Sequence, residues 1–354
     1  MHEVPRRVGL PRRRWKEVLG SVTVELAVIA FVAGAVVSLA MSWLLVSRLE
    51  RVGERLGLSE ALLGLLAALA ADTPEITASV TAISDNQRTI GAAVVVGSNV
   101  FNLAALLGLG AVVAGRVGLH RKVVALGGTV AIWVAIACLA SVAGAVSPAI
   151  GLLLVLVVLV PYVVVLGGHG RVLSRARLPS RWSDWLASAI DEEELELVVS
   201  VHPQRGRPRD ALVAVAGLAV VVGASIEMER GASTLGQHYA LANVVVGGLV
   251  LAAVTSLPNA VAAVYLASKG RGAAALSTAL NSNTLNVLAG LLVPAALIGM
   301  ARPSGEGFLV AAWYLGLTAL TLALAYVDHG LRRWAGWAIV ACYGAFVVSV
   351  LAIS

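Results

Sequence analysis

Residues 70–76 read ADTPEIT, and they stand inside an apolar stretch that runs from LLGLLAAL to ASVTAI. Asp72, Pro74 and Glu75 fit poorly in a segment built to sit in lipid. Proline removes a backbone donor and breaks or kinks a helix, and each acid at the bilayer centre costs about 2.5–3.5 kcal/mol on insertion scales. That is more than a kink alone would justify. A second stretch repeats the arrangement. GLLAALAADTPEITASVTAISDNQRTIGAAVVVGSNVFNLAALLG and GLVLAAVTSLPNAVAAVYLASKGRGAAALSTALNSNTLNVLAGLL fall into register without a gap when Pro74 is set against Pro258. Asp72 then meets Ser256, Glu75 meets Asn259, Asn99 meets Asn283, and Asn102 meets Asn286. The proline and the first asparagine are 25 residues apart in both copies, so the chain carries an internal duplication.

The composition says where the duplication resides. The 354 residues are 59% hydrophobic and 13% charged, with mean hydropathy +0.89, against about 25% charged in a soluble domain. Ten apolar segments are predicted as spans, at 22–46, 61–84, 90–114, 123–146, 148–167, 211–226, 240–265, 273–299, 308–326 and 335–353. Each is roughly long enough to cross a hydrocarbon core of about 30 Å as a helix. The basic stretch 1–21 precedes them as a tail, and the run after it, long and without a clear cleavage site, reads as a retained first span. Residues 168–210 form one long polar loop between a first repeat at 22–167 and a second at 211–354. Five spans per copy is an odd number, so the second copy enters the membrane from the opposite side. The fold class is therefore an all-α polytopic membrane protein of about ten transmembrane helices in two inverted-topology repeats, an architecture of secondary transporters.

The net charge of +6 rests on 23 arginines against three lysines. Most lie in the loops between apolar runs, where they set topology, so a nucleic-acid partner is not expected. With the N-terminus outside, the outer loops hold only Arg88, Arg230 and Arg302, although the basic tail itself pulls the other way. Cys138 and Cys342 match no metal or redox spacing and read as fillers of membrane helices. The acidic run 191–196 reads as a solvated linker, and Glu227, Glu229 and His238 as a solvated face at the outer ends of the sixth and seventh spans.

Asp-Thr-Pro-Glu has the form of a capping box, with Asp72 capping the restarted helix and Glu75 reaching back. A cap does not explain why acids stand in one copy and Ser256 and Asn259 in the other. A hard-cation site near the midplane does, because such cations take carboxylate, amide, hydroxyl and carbonyl oxygens, and unwound helices in transporters supply them. Asp72 and Glu75 bring the charge. Asn99, Asn259 and Asn283 bring amide oxygens, with Thr73, Thr255 and Ser256 beside them, while Gly64, Gly97 and Gly248 allow close helix approach.

The paired motifs resemble the two alpha-repeats of the sodium/calcium exchanger family, within the calcium/cation antiporter superfamily. That family typically has Gly-Thr-Ser-x-Pro-Glu followed by Gly-Ser-Asn-x-x-Asn in each repeat. This chain has Ala70-Ala71-Asp72-Thr73-Pro74-Glu75 with Gly97-Ser98-Asn99-Val100-Phe101-Asn102, then Thr255-Ser256-Leu257-Pro258-Asn259 with Asn281-Ser282-Asn283-Thr284-Leu285-Asn286. The family's acid in the second repeat is here Asn259, and an acid, Asp72, stands where a serine is usual. A carboxylate has in effect moved between repeats. The resemblance implies antiport of Ca2+, or a similar cation, for Na+ or H+ by alternating access, with the first and sixth helices moving. It implies no cofactor and no enzymatic activity, the cations being the substrates of a multi-pass protein of the cell membrane, and the composition, arginine over lysine and heavy in alanine and valine, suits a bacterial one. If Asp72 only caps its helix, a single Glu75 suits a monovalent cation or proton antiporter instead, and Asn259 also keeps open a non-transporting scaffold or sensor. No Walker-type loop supports ATP-driven pumping. An aspartyl protease would need two acids from different helices, whereas Asp72 and Glu75 share one.

Overall fold

The computed structural model describes residues 12–56, 60–175, 207–268 and 272–354, with the single positions 185, 188 and 270. The acidic run 191–196 lies outside the described residues, as does most of the polar loop. The chain is helical almost throughout. Helix α1 is Arg12–Arg55, α2 Glu60–Ala71, α3 Thr73–Ser84, α4 Arg88–Ala114, α5 Arg121–Val142 and α6 Pro148–Arg175. Then follow α7 Pro208–His238, α8 Asn243–Thr255, α9 Leu257–Ser268, α10 at 272–298, α11 Gly305–Val327 and α12 Arg333–Ile353.

Among the described residues seven helices are long and apolar enough to cross a membrane, and eight if the bent pair α8 and α9 counts as one span. The segment expected at 61–84 is divided at Asp72 into two twelve-residue helices, and α6 has its apolar part at Pro148–Val164. Apolar side chains such as Leu26, Ile29, Val36 and Trp43 on α1, and Leu212 and Val215 on α7, face outward. A helix that is apolar on its outer side as well as its inner one belongs in lipid, and the protein is a membrane protein.

Both proline breaks arise in the same way. Pro74 and Pro258 sit in the first turn of α3 and α9, where a missing N–H costs least, and each leaves the carbonyl four residues earlier without its helical partner. Asp72 and Ser256 fill the junctions. The ladder resumes at once on either side: Ile76 N–H donates to the Asp72 carbonyl at 3.0 Å and Ala260 N–H to the Ser256 carbonyl at 3.0 Å. Helices α8 and α9 meet at 45° across theirs.

Two helices that enclose these breaks contain a π-helical turn at matching places, Leu103–Leu109 in α4 and Asn286–Leu292 in α10. A third, Val246–Leu251, lies in α8. Such turns often mark functional positions. Helix α3 ends in a Schellman turn: Asn86 adopts φ 63°, Gln87 N–H donates to the Ala82 carbonyl and Asn86 N–H to that of Ile83. Far from that turn, Arg116–Gly118 (β1) pairs antiparallel with Gly330–Arg332 (β2), joining the loops before α5 and α12.

Close packing of small residues sets the framework. A Cβ on Gly97 of α4 would lie 2.3 Å from the Gly248 carbonyl oxygen, and one on Gly247 2.4 Å from that of Ile90. Helices α1 and α7 pack along their length in the same manner, Gly34 against the Ala224 carbonyl and Gly231 against that of Ala27. Ser38 and Ser225 bridge their middle at 2.9 Å, and Arg48 binds Asp210 at 2.7 Å near one end.

Candidate cation site

Asp72 comes first because its orientation decides the charge of the site. Its side chain makes no capping bond, so the expected capping box does not form. The carboxylate turns instead toward the other half of the chain. Asn259 Nδ2 donates to Asp72 Oδ1 at 2.7 Å and Ser282 Oγ donates to the same oxygen at 2.5 Å. The physical reason is that donors from α9 and α10 converge on Asp72, while the backbone ladder passes through the junction with little interruption. Glu75 lies one turn further along α3, on the same face, and accepts from Ser256 Oγ at 3.0 Å.

The four asparagines of the duplicated motif form a reciprocal network. Asn99 Nδ2 donates to the Asn283 carbonyl at 3.0 Å, and Asn283 Nδ2 to the Asn99 carbonyl at 3.1 Å. Asn102 Nδ2 donates to Asn283 Oδ1 at 3.1 Å, and Asn286 Nδ2 to Asn99 Oδ1 at 3.3 Å. Asn102 also reaches Ser282 Oγ at 3.2 Å, which ties this network to Asp72. Each Asn-x-x-Asn pair is spaced to put both amides on one helix face. All these residues, from Asp72 to Asn286, are no more than 1% exposed.

What remains unpaired is informative. Asp72 Oδ2, Glu75 Oε2, Asn102 Oδ1 and Asn286 Oδ1 are buried with no hydrogen-bond partner. Every one of them is an oxygen acceptor, and neither carboxylate has a basic partner among the described residues. A buried charge left unpaired is costly, and so is an orphaned acceptor. A hard cation is the chemical species that satisfies carboxylate and amide oxygens together.

Of the expected ligands, the structure brings together Asp72, Glu75, Asn99, Ser256, Asn259 and Asn283. Thr255 is buried but turns its hydroxyl back to the Leu251 carbonyl at 2.9 Å. Thr73 is only half buried and bonds the Leu69 carbonyl at 3.2 Å. The amide oxygens of Asn99 and Asn283 already accept a bond, whereas those of Asn102 and Asn286 are bare. Asn102, Asn286 and Ser282 were visible in the repeated Ser-Asn-x-x-Asn, whose second asparagine stands three residues after the first and four after the serine and so shares a face with each. Glu229, expected on a solvated face, is instead fully buried where α7 packs on its neighbours, while Glu227 and His238 are exposed as expected.

A protein-family model described as sodium/calcium exchanger protein matches twice, over residues 26–168 and 210–352. The putative antiporter CaxA of Alkalimonas amylolytica is 29% identical over 114 residues, 31% of this chain and 36% of that protein. The chain thus matches about a third of that relative's length. Among solved structures, the H+/Ca2+ exchanger CAX superimposes with TM-score 0.66 at 14% identity, covering 92% of this chain and 82% of that one. YfkE gives 0.60 at 17% identity over 94% and 98%, and the sodium-calcium exchanger NCX_Mj 0.59 at 20% over 91% and 98%. These likenesses establish a shared fold. The two family matches cover most of both halves, and the chain belongs to the sodium/calcium exchanger protein family.

Proposed function

We propose that the protein is a secondary-active antiporter that exchanges Ca2+ for Na+ or H+ at the Asp72/Glu75 site by alternating access. The observation that carries this reading is the set of four bare buried oxygens on Asp72, Glu75, Asn102 and Asn286, drawn from both halves of the chain. Two carboxylates offer two negative charges, which match one divalent cation. Antiport also requires that the empty site be costly to carry across, and two uncompensated buried carboxylates make it so. Either two monovalent cations or protons relieve the same penalty, which links the calcium step to a counter-ion.

The burial of Asp72, Glu75, Asn259 and the four asparagines of the repeated motif suits a state closed to both sides. The architecture that goes with this reading is ten spans in two inverted five-helix repeats, at 22–167 and 211–354, with the N-terminus outside and the 168–210 loop in the cytoplasm of a bacterium. The reciprocal asparagine bonds support it, since a twofold relation between repeats generates such pairs. A monovalent cation/proton antiporter is the second reading, favoured by Asn259, which removes the charge from the second copy.

Radioactive calcium uptake into proteoliposomes, loaded with sodium or separately at low internal pH, tests the proposal. Uptake driven by one of these gradients is expected, and Glu75→Gln or Asp72→Asn should each lower it about a hundredfold. Well-folded protein that carries no calcium under either gradient would overturn the calcium reading in favour of the monovalent one.

A further inference from the structure

Glu229 is a second buried carboxylate, separate from the Asp72/Glu75 pair. It is 0% exposed on α7, and both its oxygens lack a hydrogen-bond partner. Its depth follows from its neighbour. Arg230 Nε lies 3.3 Å from Asp85 Oδ2 at the far end of α3, ten residues and about 15 Å beyond Glu75 along the helix. Arg230 also approaches Glu227 at 4.0 Å, so the nearest cation is engaged by two exposed acids rather than by Glu229. On its own helix Glu229 stands between Ser225 and Ser233, four residues away on either side and therefore on its face. Ser233 Oγ donates to Gln87 Oε1 from the turn between α3 and α4. Its α7 neighbours Met228 and Ala232 belong to a buried apolar cluster with Ala78 and Ala82 of α3 and Ile90 and Val94 of α4.

We propose that Glu229 is a staging site for a monovalent cation at the α3–α7 edge, which Na+ occupies on its way between the surface and the Asp72/Glu75 pair. One carboxylate balances one positive charge. The serine hydroxyls and the Gln87 amide oxygen are ligands of the kind a hard cation takes, and no structural bond requires an acid here. The inference rests on the exchange reading for the word staging, but the site is defined by its own residues.

The test labels purified protein in detergent with dicyclohexylcarbodiimide, which couples to carboxyl groups in apolar surroundings, and maps the modified peptides by mass spectrometry. Sodium chloride is expected to protect Glu229 several-fold relative to choline chloride at equal ionic strength, in the wild type and equally in the Asp72→Asn, Glu75→Gln double variant. In the flux assay Glu229→Gln should raise the KM for sodium about threefold or more with kcat little changed, while Glu227→Gln at the exposed position leaves both as they were. Labelling of Glu229 that sodium leaves unchanged would overturn the proposal. So would no labelling at all, or protection seen in the wild type and lost in the double variant. A wild type without cation flux would sink the exchange reading alone, because labelling needs no transport.

Discussion

Asp72 and Ser256 stand at equivalent breaks with nearly the same backbone, φ −81° and ψ −4° against φ −84° and ψ −3°. The surroundings differ. The first break carries two carboxylates, and α2 before it is a regular helix. The second is neutral, with a π-helical turn at Val246–Leu251 ahead of it. The neutral half supplies donors to the charged half: Asn259 and Ser282 to Asp72, and Ser256 to Glu75. A duplicated scaffold thus holds an unduplicated charge, and the side chains at 72 and 259 meet across the interface. If the site counts charges rather than positions, the acid can sit on either side of that contact.

Exchanging the two side chains tests this most severely. Asp72→Asn alone removes a charge and is expected to lower calcium exchange about a hundredfold, while Asn259→Asp alone sets a third carboxylate beside Asp72 and should cost about tenfold through like-charge repulsion. The double variant keeps two charges and the same hydrogen-bonding partners. It should recover most of the wild-type rate, so that single losses of about 2.7 and about 1.4 kcal/mol cancel in a coupling of about 4 kcal/mol between residues in direct contact. A double variant no better than its worse parent would show that Asp72 acts through its position on α3 and not through the shared charge.

The second asymmetry is steric, and its expected effect is smaller. Gly97 and Gly248 are both close to the α4–α8 crossing, yet only one is closed to a side chain. A Cβ on Gly97 would fall 2.3 Å from the Gly248 carbonyl oxygen and 2.6 Å from its Cα, whereas a Cβ on Gly248 would lie 3.5 Å from the Ala93 carbonyl oxygen. The former must push two backbones apart, at about 1–3 kcal/mol for overpacking. The latter is an ordinary contact. Gly97→Ala should therefore lower the thermal midpoint in detergent by several degrees and Gly248→Ala leave it nearly unchanged. Equal effects of the two would mean that the helices separate at this crossing in the dominant state in solution.

Much of this was legible before the fold was known, and for a physical reason. Proline and the asparagine pairs constrain the backbone and the hydrogen bonding so tightly that two copies of the motif announce themselves by spacing. The orientation of Asp72 was not legible, because a carboxylate after an apolar helix and before proline serves equally as a cap or as a ligand. The choice depends on whether donors arrive from 187 and 210 residues away, at Asn259 and Ser282. The π-helical turns left no residue-type signal, since Leu, Ala and Gly sit in α- and π-helical turns alike. Glu229 misled for a related reason: Glu227, Glu229 and Arg230 together look like a wet helix end, and only the packing of α7 against α3 separates the buried acid from its exposed neighbours. Gly97 and Gly248, expected to allow close helix approach, do meet at the crossing, while the α8 Cβ position closed by backbone belongs to the adjacent Gly247, 2.4 Å from the Ile90 carbonyl oxygen.

The smallest expected effect concerns the bond that joins the two halves through their longest helices. Ser38 Oγ and Ser225 Oγ lie 2.9 Å apart, both fully buried between α1 and α7. Only one hydroxyl can donate to the other, so the pair counts as a single hydrogen bond, about 0.6 kcal/mol on average between membrane helices. Ser38→Ala and Ser225→Ala should each lower stability by roughly that amount. Together they should cost no more than either alone, because the second substitution removes the orphan that the first created. A double variant whose loss equals the sum of the two would mean that each serine serves its own helix, through its own backbone carbonyls. In that case α1 and α7 would be held by the Gly34 and Gly231 contacts and the Arg48–Asp210 pair, with no polar tie at their middle.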